Sequence, residues 1–346
     1  MKIGFLGGGI DSIAGKVHFI ASQMDKKFEV IGGIFSRDEE KSLKSAKKYG
    51  VKHFDSLKDM CKEVDIVAVL TPTPEHYQNL KDLIKYDVGI IVDKPLIANI
   101  SEFDLNLEDK FVVVTHNYSG YPLVREIRAL VQNGVLGDIK KIKINMPQES
   151  FFKPLKPGYP QEWRKKDYEI PTLALDLGVH TYHLARFVLS KKFEPVFCEM
   201  NKFSTLNVVD DMIVLAKSKN ILVELSFSKV SLGNTNPLFI EVYGDKAGIK
   251  WSQDDFERLY ITYSNGKKEI LTRSFAYFEA NKPRYQRMAP GHPSGFIEAF
   301  ANLYIDIYDA FMKYRKEGIY KNENISNYKE SLESLEFFKN AIKGVE

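Results

Sequence analysis

The first third of the chain alternates short apolar runs with amphipathic stretches. Residues 2–6 (KIGFL) form an apolar run that stops at Gly7-Gly8-Gly9. A helical stretch follows, with Val17, Ile20 and Ala21 on one face. Further runs are residues 29–35 (EVIGGIF), 65–70 (DIVAVL), 89–92 (GIIV) and 111–115 (FVVVT). Such near-continuous apolar runs suit strands buried on both faces. Between them lie a charged helix, opened by Ser36-Arg37-Asp38, and a helix over residues 74–86 after the break at Thr71-Pro72-Thr73-Pro74. Strands separated by helices of this length predict βαβ units, a parallel sheet and right-handed crossovers. Ligands of such sheets bind outside the carboxyl ends of the strands.

The pattern then changes. An amphipathic helix over residues 121–134 ends at Asn133-Gly134, and residues 140–274 are mostly strand-like. Residues 208–230 read as two β-rich arms about a polar turn at 217–220, and residues 238–251 repeat the scheme about Gly244-Asp245-Lys246. Ser264-Asn265-Gly266 is a hairpin signal. Consecutive hairpins predict an antiparallel sheet. A helix over residues 172–189 interrupts it, and helices at 294–314 and 327–341 follow. The expected organisation is an α/β domain over residues 1–120 and an α+β domain over 121–346.

A length of 346 residues suits two domains, and 44% hydrophobic content suits a packed core. A net charge of +3, with no basic stripe, argues against binding nucleic acid by bulk charge. No apolar run is long enough to span a bilayer, and the N-terminal MKIGFLGGG lacks the plan of a signal peptide. Cys61 and Cys198 both read as core residues and cannot make a disulfide framework. The expectation is a cytoplasmic protein with no nucleic-acid or membrane partner.

Candidate chemistry starts at the glycines. A glycine cluster after a first strand lets the backbone turn tightly and approach a pyrophosphate at the next helix N-terminus. Gly7 and Gly9 fit the first two positions of G-x-G-x-x-G, the third holds Ser12, and the next glycine is Gly15. After the second strand, where an acidic residue would read a ribose hydroxyl, stand Ser36 and Arg37. A hydroxyl followed by a guanidinium suits a 2′-phosphate, which favours NADP over NAD. Against this, Ser36 could simply cap the next helix, and Asp38 could take the ribose.

Lys94 follows a buried strand and precedes Pro95, so it points at the ligand crevice as a candidate acid or base, or else as a lysine that binds the ribose or caps a carboxylate. Asp176, His180 and His183 are spaced to share one helix face. They could form a catalytic cluster, with His180 exchanging a substrate hydroxyl proton and Asp176 orienting the sugar or the histidine. They could also ligate a metal or form a core network. Lys94 in the other domain favours catalysis, and no C-x-x-C or H-E-x-x-H accompanies them. Asn117 and Tyr118 follow the last strand of the first domain and are placed to touch nicotinamide or sugar. Trp163, Arg164 and His292 lie on candidate pocket loops, with Trp163 available to stack on a sugar. The run 153–166 holds five basic residues and could attract a phosphorylated sugar.

These stretches together resemble the Gfo/Idh/MocA oxidoreductases, named for glucose-fructose oxidoreductase and inositol dehydrogenase. The carriers are Gly7-x-Gly9, Gly15-x-x-His18, Thr71-Pro72-x-x-x-His76, Asp93-Lys94-Pro95, Asn117-Tyr118, Trp163-Arg164, Asp176-Leu177-Gly178-Val179-His180 and Gly291-His292-Pro293. The resemblance implies a Rossmann domain joined to an open antiparallel sheet whose free face makes homodimers or homotetramers. It implies hydride transfer between NAD(P) and a secondary alcohol of a sugar, sugar derivative or cyclitol. Gly7, Gly9, Ile10, Ser12, Ser36, Arg37, Thr71, Pro72, His76, Lys94 and Asn117 are then expected at the cofactor. Lys94, Asp176 and His180 are expected to be catalytic, and no metal is expected. Tyr118, Trp163, Arg164, His183 and His292 are expected to join these three at the substrate. Some relatives use a bound nucleotide only transiently, without net redox, and a non-catalytic dinucleotide sensor is a further alternative.

Overall fold

The computed structural model describes residues 1–153, 160–289, 291–318 and 321–344. The first elements are β1 (Lys2–Gly7), α1 (Ile13–Met24), β2 (Glu29–Ile34), α2 (Glu39–Tyr49), β3 (Lys52–His53), α3 (Leu57–Glu63), β4 (Ile66–Leu70), α4 (His76–Leu83), β5 (Gly89–Asp93) and β6 (Val112–Thr115). Next come α5 (Pro122–Gln132), β7 (Ile139–Pro147), α6 (Val179–Leu189) and β8 (Glu194–Asn201). The strands β9 (Asp211–Ser218), β10 (Ile221–Ser228), β11 (Phe239–Gly244), β12 (Ala247–Ser252), β13 (Leu259–Tyr263) and β14 (Lys268–Leu271) follow. Last are α7 (Phe296–Glu317), β15 (Ser326–Asn327) and α8 (Tyr328–Lys343).

The chain divides into two compact units, Met1–Gly120 with Phe296–Leu332, and Tyr121–Gly295 with Glu333–Glu346. Residues 296–332 differ from the expected 121–346 span, because they pack in the first unit. The reason is the apolar stripe of α7. Phe300, Ala301, Tyr304, Ile307, Ala310 and Phe311 are buried in one cluster with Ile3, Phe5 and Val113. The sequence shows that stripe, but not which sheet it covers.

The first unit holds a seven-stranded sheet in the order β15-β6-β5-β4-β1-β2-β3. All pairs are parallel except β15 with β6. The order reverses between β1 and β4, so the crevice of a doubly wound sheet opens there, outside Gly7 and Leu70. On α1 the buried residues are Gly15, Val17, His18, Ala21 and Ser22, whereas Ile20 is exposed. The inward position next to Val17 thus belongs to a histidine, which hydropathy alone assigns to the outside.

The second unit holds an eight-stranded sheet in the order β14-β13-β12-β11-β7-β10-β9-β8. It is antiparallel apart from the β7–β10 pair. That exception arises because residues between β7 and β10 form α6, β8 and β9 before the chain returns beside β7. Alternate residues such as Ile144, Val214, Val223, Leu225 and Ile240 are buried on one face. No described helix is long and apolar enough to cross a membrane.

Candidate active site

In the first unit the glycine loop is built by close backbone approaches. Gly7 has φ +84°, and a Cβ there would lie 2.7 Å from the Thr71 amide nitrogen. A Cβ on Gly15 would lie 2.0 Å from the Gly8 carbonyl oxygen. Gly15 therefore serves the close helix–strand packing that the third glycine of the dinucleotide fingerprint provides. The extra residues form a turn closed by Ser12 N donating to Gly9 O (2.8 Å), and Ser12 Oγ then caps α1 by accepting from Gly15 N (3.1 Å). Ile10 N donates to Ser45 Oγ (3.3 Å). The loop thus fits a pyrophosphate, since only glycine permits these contacts and α1 presents its N-terminus there.

At the end of β2, Asp38 rather than Ser36 caps α2, accepting from Lys41 N (3.0 Å). Ser36 Oγ accepts from Asp38 N (3.1 Å). The Arg37 side chain is 88% exposed and pairs with Glu75 at 3.1 Å. Exposed pairs of this kind hold little energy, so the guanidinium can turn to another anion at small cost.

Beyond β4 and β5 the loops are braced. The buried His76 ring lies between Thr71 O (2.9 Å from Nε2) and Pro95 O (2.7 Å from Nδ1). Burial lowers its pKa against the pull of these carbonyls. Both ring nitrogens are thus turned to backbone, and His76 ties together the two loops that follow Leu70 and Asp93. The Thr71 hydroxyl also accepts from Asn79 Nδ2 (2.6 Å).

Lys94 is half-buried, and its bond to Pro95 is cis. Its backbone N–H donates to Asp93 Oδ1 (3.0 Å), which also accepts from the Thr115 hydroxyl (3.0 Å). His18 Nε2 lies 3.7 Å from the same oxygen, and His18 Nδ1 lies 2.7 Å from the Tyr304 hydroxyl. Burial pushes the Asp93 carboxyl up, but His18, Lys94 and Thr115 together outweigh it and hold the group at about 2. Asp93 and His18 thereby fix the backbone that carries Lys94. Asn117 and Tyr118 are buried in a short turn after β6, and Tyr118 packs edge-on against Phe296, with ring centroids 6.4 Å apart.

The Asp93 network has a pH signature. A carboxyl that titrates near 2 folded, against an ordinary 3.8, stabilises the fold at every pH above the ordinary value. That contribution, about 2 kcal/mol, is lost as pH falls through both values. Asp93→Asn is expected to lower unfolding free energy by this amount near neutral pH in denaturant titrations. The gap between variant and parent should narrow as pH falls below 3.8 and close only below about pH 2.

In the second unit a helical run continues from Thr172 into α6 and contains a π-turn over Ala174–Gly178, a feature frequent at functional sites. Asp167 starts it, accepting from Thr172 N (3.1 Å). Asp176 sits in the π-turn. Arg164 grips it as a fork, Nε to Oδ2 at 2.9 Å and Nη2 to Oδ1 at 3.1 Å. Lys229 Nζ donates to Oδ2 at 2.5 Å. The Lys229 side chain is 1% exposed. Burial pushes its pKa down, Asp176 pulls it up, and Arg164 pushes it down again, for a net lowering. His180, also buried, follows one turn after Asp176.

The remaining candidates separate. His183 stacks on Phe187 (centroids 6.0 Å), and burial with Arg186 and Arg128 holds it down at about 3, a neutral ring throughout the physiological range. Arg164 lies 4.0 Å above the Trp163 ring, so that aromatic face is already covered. His292 is exposed, and its carbonyl accepts from buried Arg273 (2.7 Å). Residues 154–159 of the basic run lie outside the described residues. Among the described residues no three His, Cys, Asp or Glu side chains are grouped to hold a metal.

Sequence reasoning missed Lys229 and the His18–Tyr304 pair. A signal for Lys229 exists. Val223, Leu225 and Phe227 alternate inward along β10, and the same period places residue 229 on the buried face.

A doubly wound sheet with a pyrophosphate-fitting glycine loop, followed by a unit with a buried Asp–His helix, defines a dinucleotide-dependent oxidoreductase. The family comparisons agree. The model of the oxidoreductase family with an NAD-binding Rossmann fold matches residues 1–118, and the family's C-terminal domain model matches residues 124–250. The chain belongs to the Gfo/Idh/MocA oxidoreductases. It is 26% identical over 330 residues to the uncharacterized oxidoreductase YfiI of Bacillus subtilis, covering 88% of this chain and 84% of that one. An oxidoreductase structure from Sinorhizobium meliloti superposes with a TM-score of 0.83 at 27% identity, over 99% of this chain and 97% of that one. An inositol dehydrogenase homolog from Azotobacter vinelandii, complexed with NADH and myo-inositol, gives a TM-score of 0.87 at 20% identity, over 99% and 95% of the two chains. That second likeness is one of fold.

Proposed function

We propose that the protein oxidises a secondary alcohol of a sugar, sugar derivative or cyclitol, or reduces the corresponding ketone, with NADP preferred to NAD. The observation that carries this reading is the buried Asp176 one helical turn before buried His180, in a chain whose first unit is an NAD-binding fold. The bound nicotinamide supplies the hydride acceptor and donor. Lys94 and His180 are the side chains that would exchange the hydroxyl proton, and Asp176 accepts a hydrogen bond and fixes orientation. Asp93 and His18 hold the Lys94 backbone, so that its ammonium needs little reorganisation. Two free thiols, buried Cys198 and half-buried Cys61, are each pushed up to about 11 by burial and suit a reducing cytoplasm.

The test is a panel of sugars, sugar phosphates and cyclitols, followed by nicotinamide absorbance with each dinucleotide. Turnover of at least one polyol, lost in His180→Ala, is expected. Nucleotide that stays bound through purification, with no net absorbance change while the sugar is altered, would replace net oxidation by transient redox. The NADP preference rests on Ser36 and Arg37. Arg37→Ala is expected to weaken NADP binding about tenfold, the size of a lost charge-assisted bond, and to leave NAD unchanged in calorimetry. Equal effects on both would remove the preference.

The second sheet supports a homodimer or homotetramer. Its second face carries exposed Ile213, Tyr260 and Ile270 among the pairs Lys141–Glu224 and Lys250–Glu241. Exposed apolar side chains ringed by ion pairs suit a second copy of the chain. Light scattering at micromolar concentration is expected to give a dimer or tetramer, and a monomeric mass would contradict this.

A further inference from the structure

The Arg37–Glu75 pair has a place in the sheet that bears on the choice of dinucleotide. Arg37 follows β2, Glu75 follows β4, and β1 lies between those two strands. The pair, 3.1 Å from Nη2 to Oε1, therefore joins the loops on either side of the strand that opens into the glycine loop at Gly7. In a doubly wound sheet the adenosine ribose is read at the end of the second strand. One partner of the pair thus stands at the ribose, and the other brings a carboxylate beside it.

The helix that Glu75 precedes does not account for that carboxylate. Its side chain makes no capping hydrogen bond to α4. The Glu75 N–H donates to Pro72 O (2.9 Å), and the carboxylate turns to Arg37. At the start of α2 the acid behaves differently. Asp38 accepts from Lys41 N (3.0 Å), and the Lys41 ammonium lies 4.0 Å from the same carboxylate. Asp38 is thus committed to its own helix, whereas Glu75 sends its charge across to another element.

Charge sets the consequence. A ribose 2′-hydroxyl is neutral, so NAD leaves the pair undisturbed. A 2′-phosphate brings about two negative charges and draws the guanidinium to itself. Breaking so exposed a pair costs little. The Glu75 carboxylate, however, stays where it was. An anion that takes this guanidinium comes within a Debye length of it, about 8 Å at physiological salt, and is repelled.

We propose that Glu75 is a specificity-determining residue for the dinucleotide. It competes with a 2′-phosphate for Arg37 and repels that phosphate, and so limits the preference for NADP over NAD. The inference rests on the reading of Ser36 and Arg37 as the 2′-phosphate site.

The test is calorimetry with NADP and with NAD on nucleotide-free parent, Glu75→Gln, Glu75→Asp, Arg37→Ala and the double variant Glu75→Gln/Arg37→Ala. Glu75→Gln keeps the size of the side chain and removes its charge. It is expected to tighten NADP about three- to tenfold, the scale of one charge–charge contact in water, and to leave NAD unchanged. The gain should shrink as salt is raised, because both charges face solvent. Glu75→Asp, which keeps the charge, should bind NADP much as the parent does. In the Arg37→Ala background the gain should be smaller, since the competition is gone and the repulsion remains.

Unchanged or weakened NADP binding in Glu75→Gln, while Arg37→Ala still weakens NADP alone, overturns the proposal and leaves the 2′-phosphate reading standing. If Arg37→Ala leaves NADP binding as it was, that reading fails and the proposal falls with it. Equal tightening of both dinucleotides, or a gain that does not respond to salt, would mean that Glu75 acts through loop structure and not through charge, and would also overturn the proposal.

Discussion

Lys94→Ala is expected to leave dinucleotide binding intact and to lower turnover by about 10²–10⁴-fold, the usual size of a lost acid–base group. Binding survives because the loop is held through backbone. The Lys94 N–H donates to Asp93, Pro95 O is braced by His76, and neither contact uses the lysine side chain. The two effects therefore separate cleanly. Calorimetry reports the cofactor, and nicotinamide absorbance in single turnover reports chemistry. Full turnover in Lys94→Ala with normal cofactor binding would remove Lys94 from the reaction. A loss of binding equal to the loss of rate would make it a cofactor ligand instead.

Gly15→Ala is expected to damage the protein more broadly. The added methyl would stand 2.0 Å from Gly8 O and 2.4 Å from Gly8 C, and both are backbone atoms that cannot rotate away. α1 must move off β1, at a cost of about 1–3 kcal/mol or more, as overpacking usually brings. The same shift opens the turn between Gly9 and Ser12, so dinucleotide affinity should fall at least about tenfold by the loss of one well-placed charge-assisted bond. Thermal unfolding and calorimetry read the two consequences. Parent-like stability and affinity would show that the loop does not need this approach.

The first unit was legible in the sequence because each buried strand is a near-continuous apolar run and each is followed by turn chemistry. DIVAVL ending at Thr71-Pro72 and GIIV ending at Asp93-Lys94-Pro95 place two crevice loops without further information. The glycine insertion obscured only the loop's geometry. Ser12 reads there as a failed glycine, whereas the chain uses it to cap α1 and assigns the packing role to Gly15. Less was legible where side chains meet across sequence. The descent of Asp93 to about 2 depends on His18, 75 residues earlier, and the His18 ring in turn contacts Tyr304, 286 residues later. No local pattern encodes such a pairing. Lys229 was hidden for a different reason: lysine reads as surface, and only strict alternation along β10 turns it inward. The helix carrying Asp176, His180 and His183 was legible from spacing, whereas the partners that come from other elements, Arg164 and Lys229 at Asp176 and Arg128 near His183, were not.

The most direct measurement is calorimetric titration of nucleotide-free protein with NAD and NADP, oxidised and reduced. Saturable binding of at least one form at one site per chain, abolished or much weakened by Gly15→Ala, is the predicted result. No binding of any of the four forms would mean that the loop from Gly7 to Gly15 does not cradle a pyrophosphate, and hydride transfer by this chain would be excluded.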